Sequence, residues 1–119
     1  MNNMKKEKIY IAGKITGNPD FKEQFQEAED LLIKLGYEVF NPAKIELNCP
    51  SNCVCNENKK WGCYMLACLP ELHKCDGICL LPDCGESTGA RIEYQFARKM
   101  GKFIKSYTFL KQQQNDISN

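Results

Sequence analysis

The stretch Asp76-Gly-Ile-Cys-Leu-Leu-Pro-Asp-Cys-Gly-Glu-Ser-Thr-Gly-Ala-Arg-Ile-Glu93 decides how the rest of the chain is arranged. Gly77 to Leu81 is a short apolar run bounded by turn residues, the pattern of a central parallel strand. Ser87 is a favourable N-cap, so a helix is expected from Ser87 to Met100, stopped by Gly101. Its core stripe reads as Ile92, Phe96 and Met100. Gly89 and Ala90 lie on the same helical face as Glu93 and are small, so a ligand could lie over the backbone and still reach the Glu93 carboxylate. The rise from Ser87 to Glu93 is roughly 9 Å, and helical side chains lean back to shorten it to the scale of one sugar phosphate.

Working outward, Lys8 to Ala12 alternates and reads as a first strand. The loop Gly13 to Gly17 follows, with Asn18 as cap and Pro19 at the first helical position. Phe21, Phe25, Ala28, Leu31, Leu32 and Leu35 recur at helical spacing until Gly36, and Tyr37 to Phe40 is a second strand. Strand, helix, strand over so short a distance makes a right-handed βαβ unit and a parallel sheet. Trp61, Tyr64, Met65, Cys68, Leu69 and Leu72 mark a further helix, with Pro70 an awkward interior residue. Lys102 to Tyr107 reads as a fourth strand and 112–119 as a flexible polar tail. The expectation is one α/β domain over 1–119, a flavodoxin-like three-layer sandwich with a four- to five-stranded parallel sheet. Residues 43–60 form an irregular, cysteine-containing insert. Such sheets bind ligands beyond the carboxyl ends of their strands, at the switch point.

The 119 residues carry 16 basic and 15 acidic side chains, a net charge of +1, which gives no footprint for a nucleic-acid polymer. The charged start and the short apolar run after it argue against a signal peptide or membrane span, so a cytoplasmic protein is expected. In that compartment the eight cysteines are expected as thiols or metal ligands, not disulfides. Cys49, Cys53, Cys55 and Cys63 could make a four-thiolate zinc site, but their spacing lacks paired C-x-x-C knuckles, so reduced thiols are the expected state. Cys68, Cys75, Cys79 and Cys84 occupy core-type positions. No cofactor is expected.

Tyr10 near the end of the first strand, Gly13, Lys14 and Thr16 in the loop after it, and Ser87, Gly89, Ala90 and Glu93 after the third strand should meet at one sheet edge. Helix-start N–H groups beside a lysine suit a phosphate. A carboxylate at the far end suits attack on an anomeric carbon, and a tyrosine hydroxyl could hold that carboxylate. Against this, a glycine loop after a first strand is common, and a helical glutamate is usually solvated. Arg91 should point away from Glu93, His73 should sit at a helix C-terminus, and Asp76 reads first as a cap on the strand start.

The runs Ile9-Tyr10-Ile11-Ala12-Gly13-Lys14-Ile15-Thr16-Gly17 and Ser87-Thr88-Gly89-Ala90-Arg91-Ile92-Glu93, with Cys75-Asp76 between them, resemble the nucleoside 2-deoxyribosyltransferase superfamily. That superfamily includes deoxynucleoside 5′-monophosphate N-glycosidases and a branch of small, often phage-associated proteins of unassigned function. The resemblance spans about Ile9 to Ile104. It implies Glu93 as nucleophile, Tyr10 as its orienting partner, and Gly13 and Ser87 as phosphate contacts. Thr16 stands where those N-glycosidases carry an arginine, and Cys68 stands where the superfamily has an aspartate that assists the leaving base. It also implies a homodimer or larger homo-oligomer. The expected activity is cleavage or transfer of an N-glycosidic bond in a nucleoside or nucleotide. With a thiol at Cys68, the alternative is a non-catalytic nucleotide-binding or nucleotide-signal-sequestering protein. A metal-organised interaction protein is the third reading.

Overall fold

A computed structural model describes residues 6–47 and 60–118. Cys49, Cys53 and Cys55, and with them the question of a zinc site, lie outside the described residues. Four strands, β1 (Lys8–Ala12), β2 (Glu38–Phe40), β3 (Gly77–Leu80) and β4 (Phe103–Ser106), form one all-parallel sheet in the order β2-β1-β3-β4. The helices are α1 (Phe21–Lys34), α2 (Lys60–Lys74), α3 (Thr88–Lys99) and α4 (Tyr107–Ser118), with 3-10 turns at Pro42–Lys44 and Cys84–Glu86. The expected flavodoxin-like three-layer α/β fold is the one observed, with four strands.

The layers follow from the alternation along β1. Tyr10 and Ala12 point to one face, where Cys68 and Leu72 of α2 and Ala90 and Ala97 of α3 close over them. Ile9 and Ile11 point to the other, against Phe25, Ala28 and Leu32 of α1 and, at its margin, Tyr107 and Leu110 of α4. A strand covered on both faces must be apolar at every position, which is why β1 and β3 read as continuous runs. Asp76 has the capping role expected of it. Its carboxylate accepts from the Lys8 backbone N–H at 2.8 Å, and its own N–H donates to the Lys8 carbonyl at 2.7 Å.

The structure corrects four local readings. First, α1 begins at Phe21 and not at Pro19, and the Asn18 side chain caps the turn that leads into it. It accepts from the Asp20 N–H at 3.2 Å and donates to the Lys14 carbonyl at 2.9 Å, closing a turn before the helix. Second, the buried stripe of α3 is Gly89, Ala90, Glu93 and Ala97, while Ile92 and Met100 remain 39% and 48% exposed. Small side chains let α3 approach the sheet closely, and the Tyr10 hydroxyl meets the one polar group on that face. Third, the fourth strand ends at Ser106, whose hydroxyl accepts from the Phe109 N–H at 3.3 Å and turns the chain into a helix. Fourth, the stretch read as a tail from Gln112 continues α4 as far as Ser118; glutamines favour helix, and Tyr107 and Leu110 anchor it. Cys68, Cys75 and Cys79 are buried and Cys84 is half-buried, and all four are free thiols. No helix of the described residues is long and apolar enough to cross a membrane.

Candidate functional site

In the order β2-β1-β3-β4 all strands run the same way, but the chain adds strands on one side of β1 and then on the other, and at this β1/β3 switch point a crevice opens beyond the carboxyl ends of those two strands. The loops leaving them are tied together. The Leu81 N–H donates to the Ala12 carbonyl at 2.8 Å, and the Asp83 carboxylate accepts from the Lys14 N–H at 3.1 Å. Gly13 has no room for a side chain, because a Cβ there would sit 2.7 Å from Leu81 Cδ1. Close packing of the two loops therefore requires glycine at 13, whatever it also offers a ligand. On the far side Ser87 adopts an extended conformation and its Oγ accepts from the Ala90 N–H at 3.2 Å, the expected N-cap of α3.

A cavity of about 560 Å³ lies between these loops. Gly13, Thr16, Ser87, Gly89, Ala90 and Glu93 all line it, so six of the residues anticipated for the site are brought together. Lys14 is turned aside. Its ammonium stands 3.7 Å from Glu86 in an adjoining recess shared with Thr16, Ser87 and Gly89. Tyr10 and Cys68 are wholly buried and do not line the cavity. Cys68, expected among the ligand contacts, therefore does not border the cavity. Arg91 and His73 are exposed, the latter in the last turn of α2 as anticipated.

Glu93 is the chemical centre of this arrangement. It is 5% exposed, and the Tyr10 hydroxyl donates to its Oε2. Burial pushes its pKa up from the usual 4.5 to about 7, an effect the tyrosine hydrogen bond only partly offsets. The Tyr10 hydroxyl is driven far above its ordinary range, first by burial and then by the neighbouring Glu93 charge, so it is a permanent donor. Burial also raises the Cys68 thiol to about 11. A carboxyl poised near neutrality at the base of a concave pocket is the usual setting of an acid, base or nucleophile. Tyr10→Phe should keep the fold, since the ring stacks on Phe40 at 5.4 Å between centroids. Removing the donor should move the Glu93 titration to higher pH by roughly one pH unit, read by carbon NMR of the labelled carboxyl. An unmoved titration would deny Tyr10 its holding role.

The opposite wall escaped the sequence reading. Trp61, Tyr64 and Met65 line the cavity together with Ile15, Pro42 and Leu47. The three α2 residues were legible only as a helical core stripe. The signal that distinguishes them is position: a tryptophan in the first turn of a helix lies beyond the sheet edge, where the core has ended. Trp61 is 43% exposed, and a Cβ on Gly89 would lie 3.4 Å from its Nε1 and 3.2 Å from Met65 Sδ. Gly89 thus lets α2 and α3 close on each other at the mouth. Among the described residues no group of histidine, cysteine or acidic side chains is arranged to hold a metal ion.

A family model described as Domain of unknown function (DUF4406) matches residues 7–106, from β1 through β4, and the chain belongs to that family. No curated protein matches the chain.

Proposed function

From a chain of this family with this pocket, we propose that the site cleaves or transfers the N-glycosidic bond of a (deoxy)nucleoside or its 5′-monophosphate. The observation that carries the reading is Glu93 itself, a buried carboxyl opening onto the cavity and oriented by Tyr10. In the first step a Glu93 oxygen attacks the anomeric carbon, the bond to the base breaks, and a glycosyl ester forms; water or a second base then resolves it. The Tyr10 hydroxyl holds the second oxygen and so directs the first. The sugar lies over Gly89 and Ala90, where no side chain intervenes. The Thr88 and Gly89 N–H groups that open α3 have no carbonyl partner within the helix and would serve the phosphate, with Thr16 and the Lys14 recess beside them. The similarity to the nucleoside 2-deoxyribosyltransferase superfamily supports the same roles for Glu93 and Tyr10. It also supports a cytoplasmic homo-oligomer, for which the exposed Ile92, Met100 and Ile104 supply apolar surface.

One observation favours a second reading, nucleotide binding without turnover. Among the described residues Glu93 is the one carboxyl on the cavity wall, and the thiol behind it is held neutral. A neutral thiol at that depth cannot protonate a departing base. The experiment that separates the two is incubation of the protein with deoxynucleosides and their monophosphates, followed by chromatography for free base. Release that disappears in Glu93→Gln supports the enzyme, and binding with no release supports the module. The pH profile carries the sign. A nucleophile works as the carboxylate, so release should rise with pH through about 7 and level off above it. A rate that falls across the same window would make Glu93 an acid and remove it as nucleophile.

A further inference from the structure

Among the described residues Glu93 has no counter-ion. Its hydrogen-bond partner is the Tyr10 hydroxyl, and the three ion pairs among the described residues, Lys14–Glu86, Lys44–Glu29 and Lys74–Glu71, leave it out. A buried carboxylate with no cation beside it carries a desolvation cost that a positively charged partner would relieve. Glu93 lines the cavity, so a ligand bound there can bring that partner. The walls are of the matching kind. Tyr64 is fixed by a 2.8 Å bond from its hydroxyl to the Pro42 carbonyl, and it lines the cavity with Glu93. Trp61 and the Met65 thioether close the mouth over Gly89. Aromatic side chains beside an anionic group attract a flat cation much more strongly than a neutral ring of the same shape.

We propose that the base selected by this pocket is a cationic heterocycle, a pyridinium or an N-alkylated purinium in N-glycosidic linkage, with Glu93 as countercharge and Trp61 and Tyr64 as aromatic walls. The proposal rests on the reading of the pocket as an N-glycoside site and names the substrate class for it. The chemistry then closes without an acid. When the C1′–N bond breaks, its electron pair returns to the ring nitrogen and neutralises the cation, so the base departs without taking up a proton. The Glu93 carboxylate forms the ester bond to C1′. Water then adds at C1′, the ester oxygen leaves as the restored carboxylate, and the proton from water passes to solvent. The neutral thiol at Cys68 is no handicap for such a leaving group.

The test uses the whole chain with nicotinamide riboside and its 1,4-dihydro form, two ligands of nearly the same outline that differ in ring charge, beside thymidine and deoxyguanosine. Binding is read by calorimetry and base release by chromatography. The oxidised, cationic riboside is expected to bind at least about tenfold more tightly than the dihydro form. That preference should collapse in Glu93→Gln and shrink in Trp61→Leu, a half-exposed position whose substitution leaves the core intact. Equal or tighter binding of the dihydro form overturns the proposal. If thymidine or deoxyguanosine is cleaved and no charge preference is seen, the glycosidic reading stands and the cation falls. If the preference holds and no base is released from any ligand, selection of the cation stands and the glycosidic reading falls.

Discussion

Glu93→Gln is expected to abolish base release, by at least about a thousandfold, and at the same time to make the protein more stable at pH 8. Loss of a nucleophile removes the covalent route altogether, so the kinetic effect should be large. The stability effect follows from burial. In the folded chain the carboxyl titrates near 7, and its ordinary value is 4.5. Below pH 4.5 the group is neutral in both folded and unfolded states, and its burial costs nothing extra. Between 4.5 and 7 the unfolded chain ionises while the folded one retains the proton, so stability falls as pH rises and stays low above 7. At about 1.4 kcal/mol per pH unit the full loss is about 3 kcal/mol. Glutamine stays neutral throughout. The variant should therefore melt higher than the parent at pH 8, by about 10 °C, with the difference disappearing near pH 4. Thermal melts at the two pH values read it directly. A difference that does not change with pH would mean that Glu93 is not a desolvated carboxyl, and the site would have no chemical centre.

The second large effect concerns the fold. Gly77 opens β3 between Ile9 of β1 and Phe103 of β4. A Cβ on Gly77 would meet three atoms of the Phe103 ring at 2.2, 2.3 and 2.4 Å. These are not contacts that a small adjustment relieves, because the ring also packs on Tyr37 at 6.1 Å between centroids and belongs to the cluster beneath α1 and α4. Gly77→Ala should therefore lower stability by about 2–4 kcal/mol, seen as an earlier urea midpoint with an unchanged slope. Trimming the ring in Gly77→Ala/Phe103→Leu should recover part of the loss. A single variant within about 1 kcal/mol of the parent would show that the ring can leave freely, and that the β3–β4 edge is looser than the packing implies.

Much of the architecture was legible because it rests on local signals. Continuous apolar runs mark β1 and β3, and Gly36 and Gly101 end α1 and α3 at positive φ angles of 99° and 74°. The cap at Ser87, with Gly89, Ala90 and Glu93 following it, is a local signal that puts the carboxylate at the crevice. The errors arose where a local rule competes with a longer-range partner. Asn18 has the composition of a helix cap, and its Oδ1 does accept from the Asp20 N–H, but the turn it caps precedes the helix, which begins at Phe21. Ile92 and Met100 have the hydropathy of a core stripe, but Gly89, Ala90 and Ala97 allow the closer approach to the sheet.

Read by itself, the chain determined a parallel α/β domain, the strand edge at which its loops converge, and the acid mounted there. Those features depend on periodicity, turn chemistry and caps, which act between near neighbours. Only the tertiary structure decided that Tyr10 donates to Glu93 across 83 positions of sequence, that Cys68 lies behind the wall, and that Trp61 and Tyr64 complete the cavity. Burial is a property of everything packed around a group. The desolvation that brings Glu93 to neutrality therefore exists only once β1, α2 and α3 have closed on one another.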